Sequence, residues 1–261
     1  MAKTHPANAT GPVDARRQDV QSIRAADTAY TSDNAADYDA RRTVTPSSKG
    51  IHGFERDILL WALKYMPQGG RALEVGCGTG RLLTEGLDAG YRIDGVDGSG
   101  PMLEQLKAKL PPDQQNIDLI LAEAAKIPRD SETYDMVYSI RLLNQTGSVD
   151  YALSVVDEMM RLTKPGGYVL AEFVNSYRPR IGLGGRETVR LKPSQVAQRG
   201  RRAGGEVVAH RGAFLLSMQA YRSSPNFLLG LVSAADRVLS AVLPRLCSRS
   251  YILFRKAGSQ A

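Results

Sequence analysis

Apolar residues at Ile51, Phe54, Ile58, Leu59, Ala62 and Leu63 recur at helical spacing, which predicts an amphipathic helix. Pro67 and the Gly69-Gly70 pair end it. The period then changes. Short apolar runs at 71–76, 91–97, 117–121 and 134–139 read as strands, and 81–88 and 102–110 as the helices between them. Ser148 can cap a helix over 149–162, after which Lys164-Pro165-Gly166-Gly167 turns the chain into a strand at 168–174. Such alternation predicts an α/β fold built of βαβ units, with helices on both faces of a mostly parallel sheet.

Farther on, 193–202 reads as a helix, and 206–215 and 250–254 as strands. Between those strands Ser224 and Pro225 start a helix through PNFLLGLVSAADRVLSAVLPRLC. Its polar residues Ser233, Asp236, Arg237 and Ser240 make a narrow stripe, and most other positions are apolar. A helix this apolar has to pack on something. Core or dimer packing, a lid over an apolar ligand and a membrane surface are the open readings.

Composition narrows the class. Of the 261 residues, 43% are hydrophobic and 23% charged, enough apolar material for a packed core. Residues 1–30 are the exception and read as a mobile polar arm. The two cysteines, Cys77 and Cys247, suggest neither a disulfide framework nor a metal site, which fits a cytoplasmic protein. The N-terminus has no signal-peptide pattern, and no apolar run is long enough to span a bilayer. The net charge of +7 mildly favours anionic partners.

The candidate chemistry begins at ALEVGCGTGRLL, 72–83. A strand that ends in glycines and runs into a helix lets a ligand approach the backbone and the helix N-terminus. A dinucleotide-binding G-x-G-x-x-G needs its third glycine at position 81, which is Arg81. Here Glu74 precedes Gly76, Gly78 and Gly80. Asp97 follows Gly76 by 21 positions, at the end of the second predicted strand, where a carboxylate can accept from both hydroxyls of a ribose.

E-x-G-x-G-x-G resembles motif I of the class I S-adenosylmethionine (SAM)-dependent methyltransferases. The run GVDGSGPML (95–103), the loop LAEAAKIP (121–128), the segment YDMVYSIRLLNQT (134–146) and the K-P-G-G turn resemble the later segments of the same family, in order and spacing. The resemblance implies a Rossmann-like, seven-stranded sheet with an N-terminal helical cover at 31–68. It also implies a SAM-binding domain at 69–261, carrying a lid-like insertion at about 217–247. The implied cofactor residues are Tyr38, Glu74, Gly76, Cys77, Gly78, Asp97, Gly98, Met102, Glu123, Ala124, Ser139 and Ile140. Glu74 would meet the cofactor's ammonium, Met102 and Glu123 its adenine, and backbone near Ser139 would line the cleft. Glu123 stands where the family has Asp.

The protein's part in such a reaction is chiefly to align a nucleophile, exclude water and, where needed, take a proton. His210, His52 and Glu172 are the candidates for that last task, each with an ordinary structural reading beside it. Lys49 and Arg141 are candidates for an anionic group. Cys77 reads as a small loop residue rather than a nucleophile. The expected acceptor is a small-molecule or lipid-linked metabolite. The segment after the fourth strand lacks N-P-P-Y, which disfavours DNA. The basic stretch 178–211 keeps an RNA acceptor as the alternative, although it lacks interleaved aromatics. A SAM-binding protein that does not transfer methyl groups, peripheral membrane contact and a homodimer also stay open.

Overall fold

A computed structural model of the protein describes residues 45–114, 117–177, 188–216, 221 and 223–258. The expected arm at 1–30, the first part of the expected cover with Tyr38, the basic residues at 178–187 and positions 217–220 lie outside the described residues.

The first described helix, α1 (Pro46–Leu63), starts at a capping box in which Thr45 and Ser48 exchange backbone and side-chain hydrogen bonds. The remaining elements are β1 (Arg71–Val75), α2 (Leu83–Asp88), β2 (Arg92–Asp97), α3 (Gly100–Lys109), β3 (Leu119–Leu121), β4 (Tyr134–Ser139), α4 (Val149–Leu162), β5 (Thr163–Val174), α5 (Pro193–Arg202), β6 (Gly205–Ala213), α6 (Leu229–Val242) and β7 (Arg249–Lys256). The seven strands form one sheet in the order β3-β2-β1-β4-β5-β7-β6. Pairings from β3 through β5 are parallel, and β7 runs antiparallel to both β5 and β6.

Alternate residues of the central strands face two cores. Ala72, Met136, Tyr138 and Leu170 pack with α1, α2 and α3 on one face. Leu73, Val75, Val137 and Val169 pack with α4 and α5 on the other. Burial on both faces is why consecutive apolar residues, Ala72-Leu73 in β1 and Met136-Val137-Tyr138 in β4, stand where a half-exposed strand would alternate.

Two expectations change. The K-P-G-G segment lies inside β5 instead of preceding it: Thr163 pairs with Tyr134 and Tyr168 with Met136, so the extra residues are taken up as an irregularity in register. The second change is in α6, whose polar stripe faces inward. Asp236 and Ser240 are its buried residues. Asp236 accepts from the Leu216 amide at 2.9 Å and the Tyr221 hydroxyl at 3.0 Å, and Ser240 accepts from the Leu215 amide at 3.4 Å. Those amides lie just past the end of β6, where the sheet no longer supplies acceptors. Arg237 pairs with Asp57 of α1 and lies over the Phe54 ring. Pro225, rather than Ser224, caps the 3₁₀ turn Asn226–Leu228 that leads into α6.

Candidate active site

The glycine loop leaves β1 at the carboxyl edge of the sheet, beside the ends of β2 and β4. The Gly76 and Cys77 amides donate to the Val96 carbonyl at 2.8 and 3.0 Å, which holds the loop against β2. Gly78 and Gly80 both take positive φ, +55° and +80°. They differ in surroundings. A Cβ on Gly80 would stand 2.2 Å from Leu106 of α3, whereas one on Gly78 would meet nothing within 4 Å. Gly80 therefore serves packing, and Gly78 presents bare backbone to open space.

Two carboxylates flank the loop. Oδ2 of Asp97 accepts from the Gly78 amide at 2.8 Å and Oδ1 from the Ser99 amide at 2.9 Å. Burial nevertheless raises the Asp97 pKa above its usual value, more than these amides lower it. Glu74 is buried and accepts from the Tyr138 hydroxyl at 3.2 Å. Burial pushes its carboxyl up to about 8, a shift that Arg81 and Tyr138 offset only in part. Burial likewise raises the Cys77 thiol, so the side chain is a neutral, packed group and not a thiolate.

The loop after β3 joins this edge through the Ala122 amide, which donates to the Asp97 carbonyl at 3.1 Å. Glu123 is buried rather than a solvated loop acid, and accepts from the Tyr151 hydroxyl at 3.1 Å. Met102 is buried at the start of α3. Ser139 is buried with its hydroxyl donating to the Val75 carbonyl at 3.0 Å, which ties β4 to β1, and Ile140 packs in the α1-side core. Glu74, the loop, Gly98, Asp97, Glu123, Ala124 and the end of β4 thus share one edge of the sheet.

A charge network covers that edge from α1. Glu55 is 1% exposed and binds Arg81, 2.7 Å away, together with Arg141. Burial alone would raise the Glu55 carboxyl; Arg141, Arg81 and Arg249 outweigh it and hold the pKa at about 2. Arg141 has φ +72°, uncommon for a residue with a Cβ. Its amide donates to Glu172 at 2.7 Å, and Glu172 also accepts from Arg249 at 2.6 Å. Glu55 lies on the buried face of α1, in phase with Ile51, Ile58 and Ala62. An acid in the apolar phase of a helix is the sequence signal for such a buried ion pair.

The expected proton acceptors fare differently. His52 is engaged at both ring nitrogens, Nε2 with Glu85 at 2.8 Å and Nδ1 with Arg81. Glu172 sits beside the site with both oxygens occupied by Arg141 and Arg249. His210 lies on β6, three strands from β4, or about 14 Å at ordinary strand spacing. It pairs with Ile252, which belongs to the opposite core from Glu55's helix, and its Nε2 meets the Ser250 hydroxyl at 3.3 Å. Burial and Arg245 lower its pKa. The edge that gathers Glu74 and Asp97 does not include it.

Three of the basic residues at 188–211 are engaged within the chain, while Lys192, Arg201 and Arg202 are exposed. Arg190 bonds the Asn175 carbonyl, Arg199 pairs with Asp157, and Arg211 stacks on Trp61 with its guanidinium carbon 3.7 Å from the ring centre.

Residues 73–171 match the family model described as a methyltransferase domain. Over 97 residues the chain is 33% identical to a malonyl-[acyl-carrier protein] O-methyltransferase of Salmonella typhimurium, covering 37% of this chain and 36% of that one. It is 33% identical over 123 residues to a demethylmenaquinone methyltransferase of Lactococcus lactis, covering 42% and 46%. A tRNA (carboxymethyluridine(34)-5-O)-methyltransferase of Arabidopsis thaliana is 31% identical over 108 residues, 41% of this chain and 25% of that one. The chain thus spans less than half the length of these curated relatives. Among solved structures, the CcbJ methyltransferase of Streptomyces caelestis superposes with a TM-score of 0.57 at 17% identity, over 78% of this chain and 89% of that one. The magnesium protoporphyrin IX methyltransferase of Synechocystis PCC 6803, solved with bound SAM, gives 0.55 at 12% identity, over 80% and 81%. At these identities the superpositions speak for the fold.

Proposed function

The chain belongs, through residues 73–171, to the class I SAM-dependent methyltransferases, and on that premise we propose that it transfers a methyl group from SAM to a small-molecule or lipid-linked acceptor. The carrying observation is the edge where Glu74, the open backbone of Gly78 and the Asp97 carboxylate converge. This donor and acceptor set suits the cofactor. Glu74 would hold the ammonium, the Asp97 oxygens the ribose hydroxyls, and the Glu123 loop the adenine side. The cofactor, when bound, supplies an already activated methyl group. The chain's own residues then have three tasks. Gly78 and Asp97 fix the cofactor's position, α1 with its Glu55 network keeps water from the edge, and the left-handed turn at Arg141 shapes the wall beside the acceptor.

The small-molecule reading draws on relatives named for quinone and acyl-carrier substrates. A tRNA acceptor is the second reading, because a relative of similar identity is named for tRNA. Arg190, Arg199 and Arg211 each have a partner within the chain, which weighs against it and leaves Lys192, Arg201 and Arg202 as the exposed cations of that stretch among the described residues.

Calorimetric titration with SAM and with its demethylated product tests the cofactor assignment, on wild type and on Asp97→Ala. Micromolar binding that disappears in the folded variant supports the reading. A folded wild type that binds neither ligand overturns it. A subsequent acceptor screen separates a transferase from a SAM-binding protein without transfer.

A further inference from the structure

Because α6 turns its polar stripe inward, its apolar side chains face out. Phe227, Leu231, Val238, Val242 and Leu246 are 83, 69, 66, 71 and 56% exposed. Steps of four, seven, four and four residues place them along one side of the helix and its flanking 3₁₀ turns. Scattered exposed apolar residues are ordinary, but a continuous stripe marks a surface with a partner. The helix cannot hide it by rolling over. Asp236, Ser240 and Arg237 are each held, by Leu216 and Tyr221, by Leu215, and by Asp57, and rotation would take the buried Asp236 and Ser240 from their partners and leave the buried Tyr221 hydroxyl unpaired in the core.

The charge around the stripe indicates what covers it. From Val207 to Ala261 the only acidic side chain is Asp236, against seven Arg and Lys. Asp236 is fully buried, so the exposed charged side chains that the described residues of this segment contribute are basic, and the one acid of α1 beside α6, Asp57, is paired with Arg237. Arg245 is exposed at the C-terminal end of the stripe, and Arg211 is exposed on the neighbouring strand β6. An apolar ridge bordered by arginines suits a bilayer with anionic headgroups: the apolar side chains enter the acyl boundary while the guanidinium groups meet phosphates. A second copy would bring the same basic border against itself. Among the described residues no helix is long and apolar enough to cross a membrane.

We propose that α6 and its flanking turns form a docking face for an anionic lipid surface, on which the helix lies in the plane of the interface. The same helix packs on α1, whose Glu55 and His52 reach the glycine-loop edge, so docking sets that edge close to the lipid–water boundary. The proposal stands on this surface and is independent of the methyl-transfer reading. If both hold, the acceptor is one that resides in or is anchored to the bilayer.

Co-sedimentation of the full chain with phosphatidylcholine vesicles, with and without phosphatidylglycerol, tests it. Wild type should partition onto the phosphatidylglycerol vesicles and be released by salt. The combined variant Leu231→Asp, Val238→Asp, Val242→Asp should lose at least about tenfold in partitioning. Arg245→Glu, which leaves the apolar stripe intact, should lose about tenfold on anionic vesicles. Thermal unfolding and SAM titration show whether each variant is folded, and Leu231→Ser with Val242→Ser gives a milder pair if the aspartates prevent folding. Equal partitioning of wild type and folded variants, or no partitioning of wild type, overturns the proposal. So does a wild-type dimer in sedimentation velocity that the variants dissolve without any vesicle binding.

Discussion

The Gly78 amide donates to Asp97 at 2.8 Å across 19 positions of sequence, joining the loop after β1 to the end of β2. The acid is oriented before any ligand arrives, and each of its oxygens keeps a lone pair for a hydroxyl. The neighbouring glycines divide the work of the loop. Gly78→Ala should fold with a loss of only about 1 kcal/mol for its positive φ and lose most SAM affinity. Gly80→Ala adds overlap with Leu106 and should cost about 2–4 kcal/mol. Thermal unfolding beside SAM calorimetry checks both. Equal stability losses would refute the division.

Glu74 gives cofactor binding a proton signature. With its carboxyl near 8, it is mostly protonated at pH 7, and an ammonium placed against it favours the ionised form. SAM binding should therefore release close to one proton at pH 7, and affinity should rise toward pH 8. Calorimetry in buffers of different ionisation heat measures the release. No proton release would remove Glu74 from the ammonium.

The same shift predicts a cost to the unliganded fold. The folded-state value lies above the ordinary carboxylate value of 4.5, so the folded protein holds an extra proton between about pH 4.5 and 8. Stability contributed by this group falls as pH rises through that window. Glu74→Gln should then unfold at a higher temperature than wild type at pH 8 while failing to bind SAM. A lower unfolding temperature would contradict the assignment.

Glu55 behaves in the opposite sense. Its folded-state value of about 2 lies below 4.5, so its stabilisation is complete above about pH 4.5 and is lost on acidification through 2. Glu55→Gln leaves Arg81 and Arg141 buried without their carboxylate and should cost about 3–5 kcal/mol at neutral pH. Denaturant unfolding at pH 7 measures it; a loss below about 1 kcal/mol would show that the network is not a structural clamp.

His210→Ala should leave SAM affinity within about twofold, and should leave the pH profile of methyl transfer unchanged once an acceptor is in hand, because His210 sits on the opposite face from Glu55. Loss of an ionisation from that profile would restore it as a base.

Much of this arrangement was legible along the chain. The apolar periods place Tyr134–Ser139, Val149–Leu162 and Pro193–Arg202 where the structure has them, because each element is long enough for one period to dominate. Glu74, the three glycines and Asp97 were legible because they sit at fixed offsets from strand ends. The Glu55 partnerships with Arg81 and Arg141 span 26 and 86 positions, and no local spacing records a contact made by docking α1 onto a finished sheet. The same limit applies to α6. Its sequence specifies a helix with one polar stripe, but which side faces inward depended on amides stranded beyond β6 that only folding brings beneath it. Local periodicity determines what each segment becomes. Long-range satisfaction of buried charge and backbone polarity determines which way it faces, and here it turned an apolar helix face toward the outside.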